Sequence, residues 1–588
     1  MTPSVSAPAL RMPSILITAG GSELPKKWSS RLREVCVQRG VRTIGRATLD
    51  LSLDNLAELG SVPFQLHQDV ALASDGSTVL KGRIASIEVR NDSRAGTTLR
   101  VVVHDDAADL MRTSNAATAE NVTYADIVRK LLQAAGARPG TLDLPGTTMP
   151  YVLTADSALG VIDEIATRTG RDWVVRDGSL AMWPAASGTV ASGRASVTLG
   201  ELSTFSLNQD AAALKSVTVR GWDVQNKQTS TSTATAAASR GTAVFGTGSE
   251  AEITRSVASM NVADTEEAGV VAQALAGTAG RLLARGRGAL QPTIEPGVEL
   301  ELKEAGALAG TYYVREVEHR WTASGGSTSF VAGDRDAPTL ADPWAGPRRA
   351  TTHYTGLFVG LVSEVGKEDR LGLVRVVFPT LPGASTDVLS GWARVVMPGA
   401  GDQRGMLWLP EVDDEVVVAF TDGDLRRPVV LGALHNGKDT VPAFTSGTVA
   451  DGKVAARGLR SRLGHTLEFG DGTADGDHYV SLGIAGGKEL LRLGKDRGDL
   501  KVPSGTPFTI TVGSSKVDFD GNGKITVEGT EIVIKATQKL EMSAPEVALK
   551  GSAKVDVTSG GPMAVKGATT NVEGSGPLAL KGAMVAIN

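Results

Sequence analysis

A single cysteine, Cys36, among 588 residues excludes an intramolecular disulfide framework. Aromatic residues make up only 4% of the chain, so large aromatic cores are not what holds it together. No apolar run is long enough to span a bilayer. The first stretch, MTPSVSAPALRMPSILITAGG, has no cationic start leading into a long apolar segment. The expectation is a chain made in the cytoplasm without a signal peptide, whose work outside requires a non-standard exit. The net charge is −5 with no block of Lys or Arg, which excludes the footprint of a phosphate-backbone binder and removes nucleic acid from the partners.

Chemistry-bearing patterns are equally scarce. His67, His104, His319, His353, His435, His465 and His478 fall at no metal-ligand spacing, and no cysteine joins them. Cys36 has no paired histidine motif and reads as a small buried side chain. DFDGNGKITVEG from Asp518 places Asp518, Asp520, Asn522 and Gly523 like a calcium loop. Its twelfth position is Gly529, though, and strand-like segments flank it, so a turn is the better reading. The tripeptide within Arg497–Asp499 reads as a turn for the same kind of reason. Neither a nucleophile-elbow motif nor a phosphate-cradling glycine loop occurs. The expectation is no catalytic residue, no cofactor and no metal: not an enzyme.

What the chain has in abundance is glycine, 69 residues, which favours many short strands and turns. The length suggests about four domains. Residues 1–345 read as α+β. Strands are expected at SILITAG, RATLDLSL, VLKGRIASIEVR and TTLRVVVHD. A helix follows Thr123, with Tyr124, Ile127, Val128, Leu131 and Leu132 on one stripe and Gly136 closing it. A second follows Ser157, with Val161, Ile162 and Ile165 inward and Gly170 at its end, then a hairpin turning at Asp177-Gly178. A third is expected over Asp264–Leu283. QNKQTSTSTATAAASRG, after Val224, is polar and of low complexity and reads as a mobile surface loop. Two strands joined by a glycine-bearing turn follow Pro296.

The Pro- and Gly-rich stretch from Asp336 to Gly356 marks a boundary near 345. Residues 346–440 then supply five or six short strands, among them GLFVGLVSEV, GLVRVVFP, EVVVAF and PVVLGALH, which suit a small closed barrel of OB type. The aromatic residues Trp392 and Trp408 are expected in its core. A linker over 441–458 leads into a strand-and-turn region, 459–588.

From residue 510 the pattern becomes a ladder. Val512, Phe519, Val527, Ile534, Met542, Leu549, Val557, Val565, Val572, Leu580 and Ile587 follow one another at steps of 7 or 8. An apolar partner stands two residues before each, Thr570 excepted. This is a short strand showing one face inward, then turning. Each unit buries about two side chains worth roughly 1.5–3 kcal/mol apiece. Ordering its residues costs about 1–2 kcal/mol each. A lone unit therefore does not fold, and stacking must supply partners. One chain coiling as a β-solenoid and three chains winding around one axis both satisfy the period.

The segment from Leu371 to Asp439 resembles the OB module of spike proteins of contractile injection systems. That group holds the VgrG proteins of type VI secretion, hub-and-spike proteins of contractile phage tails and spikes of extracellular injection particles. The resemblance is carried by Gly372, Val374, Val376, Phe378 and Pro379; by Trp392, Arg394, Val395 and Pro398; and by Gly405, Leu409 and Pro410. Asp414, Glu415 and Val416, then Gly423, Asp424, Arg427, Pro428, Gly432 and Asn436-Gly437, complete it. SRLGHTLEFGDG is similar to the approach to the family's needle. Weaker similarity over SALGVIDEIATRTGRDWVVRDGSLAMWP and GTYYVREVEHRW points to a hub.

The resemblance implies a mainly β protein: a hub over 1–345 with two barrel-like subdomains, an OB-fold barrel, and an intertwined triple-stranded β-helix built by a homotrimer. It implies a central spike that joins inner tube and baseplate to a tip and pierces the target membrane when the sheath contracts. Its partners would be sister chains, the inner tube protein, baseplate proteins, a PAAR-type tip protein and effector cargo, with the target membrane met only transiently. The expectation is that no lysozyme domain fits between barrel and needle and that no effector domain follows the needle. Val585, Ile587 and Asn588 would then meet the tip protein. The competing reading is a single-chain β-solenoid that binds or processes polysaccharide.

Overall fold

The computed structural model describes residues 14–587 apart from 93–95, 114–115, 190–193, 210–213, 246–253, 259–260, 279, 281, 335–353, 382–387, 446 and 487. Most of the expected boundary at 336–356, His353 and the tip residue Asn588 lie outside the described residues. The chain divides into two compact units, Met1–Thr440 and Val441–Asn588.

In the first unit the expected strands form where the apolar alternation puts them. Arg46–Leu53 buries every second residue, and Gly96–Asp105 pairs with it from Arg46↔His104 to Leu53↔Thr97. The strands of 15–105 join those of 194–209 and 282–333 along one seam, where Leu32–Gly40 pairs with Gly310–Thr322. The result is one continuous 13-stranded sheet. Two separate cores sit on it, one around Leu49, Leu72 and Val101, the other around Leu300, Tyr312 and Phe330.

Helices enter between these halves. The Tyr124–Ala134 helix starts on a capping box in which the Thr123 hydroxyl takes the Asp126 N–H and the Asp126 carboxylate takes the Thr123 N–H. The Ala158–Thr169 helix is capped by Ser157 and stopped by Gly170, whose φ of 64° is the left-handed conformation that ends helices. Asp177 and Gly178, both at positive φ, turn the hairpin between Arg171–Arg176 and Ser179–Pro184. These elements share a core of Val128, Leu132, Ile162, Trp173 and Met182.

Two expectations need correction. The third helix stops at Gly277, and Leu282–Ala289 is a strand, because residues from Leu282 alternate buried and exposed at period two. The low-complexity stretch is not a loop. Gln228–Thr235 is a strand paired with Ser216–Asp223 and covered by the Thr265–Gly277 helix. Its alternating Ser and Thr fit a pleated ladder through β-branching rather than through apolar bulk, which hides such a strand from a hydrophobicity reading.

Residues 358–433 close into a five-stranded barrel: Phe358–Val365, Leu373–Val377, Ala393–Val395, Pro428–Ala433 and Glu415–Phe420, back to the first. This is the OB arrangement. Its interior is filled by Val374, Val376, Val416, Val418 and Val430, with Phe358, Phe378 and Phe420 meeting edge to face or tilted at 5.1–6.5 Å.

In the second unit the expected linker is structured. Val449–Ala450 pairs with Lys453–Val454, and Ala456–Arg460 opens an antiparallel sheet that runs through Thr466–Asp471, His478–Ile484 and Lys488–Gly494 to Gly498–Leu500. A three-stranded meander over Phe508–Val512, Ser515–Phe519 and Ile525–Glu528 follows. Beyond Glu528 no further strand pairs among the described residues, and every residue from 527 to 587 is exposed. No described helix is long and apolar enough to cross a membrane.

The barrel core yields a direct prediction. Phe378 is fully buried where three rings meet, so Phe378→Ala should lower stability by about 3–5 kcal/mol in urea denaturation of the full chain.

Candidate assembly interface

Two features stand out once the side chains are placed: a buried charged joint that ties the barrel to the helices before it, and an apolar ladder that its own chain leaves uncovered.

The joint begins with Arg168, on the inward stripe of the Ala158–Thr169 helix two turns beyond Val161. Its Nη2 donates to Glu267 Oε1 at 2.6 Å and to the Asn261 carbonyl at 2.7 Å. Arg426, from the turn between the last two barrel strands, donates to the same Glu267 oxygen at 2.9 Å and to Asp424 at 2.7 Å. The Ala263 N–H donates to the second Glu267 oxygen at 2.7 Å. Two arginines and two carboxylates thus alternate out of water, where the loss of one partner is costly. Burial opposes the Glu267 charge, but Arg426 and Arg168 outweigh it and hold the carboxyl at about 2. Asp424, also buried against its own charge, is held at about 2 chiefly by Arg426. Arg426 is driven well above the usual range, burial being overcome by Asp424 and Glu267.

Further contacts extend the seam. Arg375 of the barrel pairs with Glu120 and donates to the Ser390 carbonyl at 3.2 Å. The Tyr151 hydroxyl donates to the Leu389 carbonyl at 2.6 Å, and Asn261 Nδ2 to the Thr421 carbonyl at 3.1 Å. Ala116 and Leu153 pack into the barrel's own core cluster. A Cβ on Gly391 would lie 2.8 Å from the Tyr151 ring, so glycine is what allows this approach.

The barrel's signature residues hold the fold. Phe378, Pro410, Gly423 and Pro428 are buried, and Pro379 is exposed. Glu415 accepts from Asn436 Nδ2 at 2.8 Å, closing the last strand. Gly423, at φ 72°, turns the chain into the Asp424–Arg426 joint, while Gly432 sits in the strand that follows. Trp392 is half-buried with the Arg375 guanidinium 5.7 Å from its ring. Trp408 is 46% exposed beyond the short 400–405 hairpin, so its expected core position is wrong: the chain there lies outside the closed barrel.

The ladder residues are uncovered. Val512, Val527, Ile534, Met542, Leu549, Val557, Val565, Val572, Leu580 and Ile587 are all exposed, Ile534 by 69% and Ile587 by 84%. Phe519 is half-buried against Phe508 at 6.1 Å. Val585 is exposed as well. The chain does not coil back to satisfy these side chains.

The remaining candidates are occupied locally. Cys36 is half-buried on its strand rather than buried as expected, and burial, then Glu318, pushes its thiol up to about 11, far from a nucleophile at neutral pH. His319 is buried against Thr328 Oγ1 at 2.9 Å, and burial pulls it down to about 4. Asp520 accepts the Asn522 and Lys524 N–H groups at 2.7 and 2.9 Å, so its carboxylate closes its own turn. Among the described residues no group of three His, Cys, Asp or Glu side chains is placed to hold a metal.

Residues 358–435 match the family model of the type VI secretion system/phage-baseplate injector OB domain. The barrel matches this injector OB domain. The chain is 35% identical over 89 residues to the type VI secretion system spike protein VgrG1a of Pseudomonas aeruginosa, covering 15% of this chain and 14% of that protein. It is 36% identical over 75 residues to VgrG3 of Vibrio cholerae, covering 13% and 7%. The match thus spans about one seventh or less of these relatives' length. Among solved structures, the E. coli c3393 protein, a component of the type VI secretion system, aligns at TM-score 0.44 and 15% identity over 71% of this chain and 99% of that one. The 43 kDa tail protein of prophage MuSo2 from Shewanella oneidensis aligns at TM-score 0.42 and 15% identity over 54% and 98%.

Arg168, Glu267 and Arg426 escape a reading of the sequence because they come from three distant segments. One signal was available: an arginine on the apolar stripe of an amphipathic helix requires a buried partner.

The injector OB domain's joint generates a pH prediction. Glu267 and Asp424 have folded values below their unfolded ones, so their stabilisation is complete above about pH 4.5 and is lost as pH falls toward about 2. Glu267→Gln should flatten that acid limb in thermal unfolding followed from pH 6 to pH 2. Glu267→Ala, which leaves two buried guanidinium groups short of a partner, should cost about 3–5 kcal/mol at neutral pH.

Proposed function

We propose that the chain is a homotrimeric central spike of a contractile injection system, structural rather than catalytic. Its hub would engage the inner tube and baseplate, and its C-terminal ladder would form a threefold needle that carries a PAAR-type tip protein at Val585, Ile587 and Asn588. On sheath contraction the needle would pierce the target membrane. Effector cargo would travel with it, and the chain would leave the cell only within the assembled particle.

One observation carries this reading: a regular apolar ladder spans residues 512–587, yet all its positions but Phe519 stay exposed in the single chain. Its period calls for stacking, and its own strands do not provide it. Sister chains of identical period do, and winding strands around one another also covers the edges that invite aggregation. The injector OB domain just before this region supports the same assignment. The single-chain solenoid requires the ladder to be buried by its own turns, and those side chains are exposed.

Light scattering on the full chain should give about 180 kDa, three times the chain's 60.9 kDa. A monomer at micromolar concentration would overturn the reading. Deleting 512–588 should leave the OB domain folded by circular dichroism while abolishing penetration by the particle. Normal delivery by that truncation would count against a piercing role.

A further inference from the structure

The chain holds two Asn-Gly pairs, Asn436-Gly437 and Asn522-Gly523. An asparagine followed by glycine can lose its side-chain amide without an enzyme, because no side chain shields the backbone nitrogen that comes next. The local sequence puts the two pairs on equal terms. The fold does not.

Asn436 is tied at both ends of its amide. Its Oδ1 accepts the Lys438 N–H at 2.8 Å and the Asp439 N–H at 2.7 Å. Its Nδ2 donates to Glu415 Oε2 at 2.8 Å and to Asp439 Oδ2 at 3.1 Å. Every rearrangement of that amide starts by breaking these bonds.

Asn522 stands in the turn between Ser515–Phe519 and Ile525–Glu528, flanked by the ladder positions Phe519 and Val527. It is exposed, and among the described residues its side-chain amide has no hydrogen-bond partner. The turn is held through its backbone instead. Asp520 Oδ1 accepts the Asn522 and Lys524 N–H groups at 2.7 and 2.9 Å, and the Asp520 N–H donates to the Lys524 carbonyl at 3.1 Å. The Gly523 N–H also turns toward that carboxylate, so a proton acceptor stands beside the nitrogen that must lose its proton. A Cβ built on Gly523 would meet nothing within 4 Å, which leaves this corner open to water.

We infer that Asn522 is a self-modification site. The Gly523 nitrogen bonds to Asn522 Cγ, the bond from Cγ to the amide nitrogen breaks, and ammonia leaves with the proton that the Gly523 nitrogen gave up. Water then opens the five-membered imide at one of its two carbonyls, giving aspartate or isoaspartate. Either product adds a carboxylate to a turn that already holds Asp518 and Asp520, and isoaspartate also lengthens the backbone by one methylene. That backbone sets the pairing of Phe519 with Ile525, so the change marks the age of a folded chain near the start of its ladder.

The test holds the full chain folded in mildly alkaline buffer and a second portion in urea, and samples both over weeks by trypsin digestion and mass spectrometry. Trypsin releases Asn522 in the 517–524 peptide and Asn436 in a separate peptide ending at Lys438. The 517–524 peptide should gain about 1 Da, the difference between an amide and an acid. In the folded chain Asn522 should convert at least about tenfold faster than Asn436, whose four hydrogen bonds must open first. In urea, where neither side chain is held, the two rates should agree to within roughly twofold. A 517–524 peptide that stays unchanged in the folded chain while the urea sample converts overturns the inference. Equal conversion of the two asparagines in the folded chain overturns it as well.

Discussion

The constraint that shapes the second unit is that two apolar side chains per seven or eight residues do not offset the entropy of ordering those residues. The first unit meets the usual terms of a folded domain: long strands, filled cores and charges matched where they are buried. Beyond Glu528 the second unit does not. Its apolar side chains recur at a strand's spacing and stay in water. Such a pattern runs through eleven units, and beyond Glu528 the single chain leaves it uncovered.

The injector OB domain is fixed to the residues before it by a different kind of interaction. Apolar contact alone would let a small barrel slide, because dispersion and hydrophobic burial carry little directional preference. The alternation of Arg168, Glu267, Arg426 and Asp424 does not permit that. Each carboxylate is shared or held in a fixed fork, and a shift of an ångström would strand a charge out of water. Arg375 with Glu120, and Tyr151 against Gly391, repeat the logic along the same seam. Residues on both sides of the 335–353 stretch accordingly belong to one compact unit.

Much of this was legible in the sequence, and what was not has a physical cause. Thr123, Ser157 and Gly170 announce helix ends because capping is a local matter of one side chain and a few N–H groups. Asp177-Gly178 fixes its hairpin for the same reason. The barrel strands show because their apolar runs are bounded by turns. Gln228–Thr235 was missed because its strand rests on Thr and Ser. The joint was missed because Arg168 and Glu267 are 99 residues apart, and nothing in either segment names the other. The 456–500 sheet shows a third limit. Alternation separates Leu467, Phe469, Val480 and Leu482 from Glu468 and Ser481, but only the fold shows which set its own chain covers.

That last point separates two kinds of polar burial in this protein. Glu267 lies between two cations, and its burial fixes one part of the first unit against another. Among the described residues Glu468 meets only neutral donors, a backbone N–H and two hydroxyls, and its burial fixes the face of a sheet. If the Thr445 segment covered the leucine side instead, Glu468 would face water at little cost, and the sheet would be complete within its own chain. The hydrogen bonds from Thr445 and Tyr479 favour the other arrangement, spending local polar contacts to keep an apolar face free. A carboxylate buried by its own chain thus goes with adjoining leucines left exposed, Leu482 by 43%.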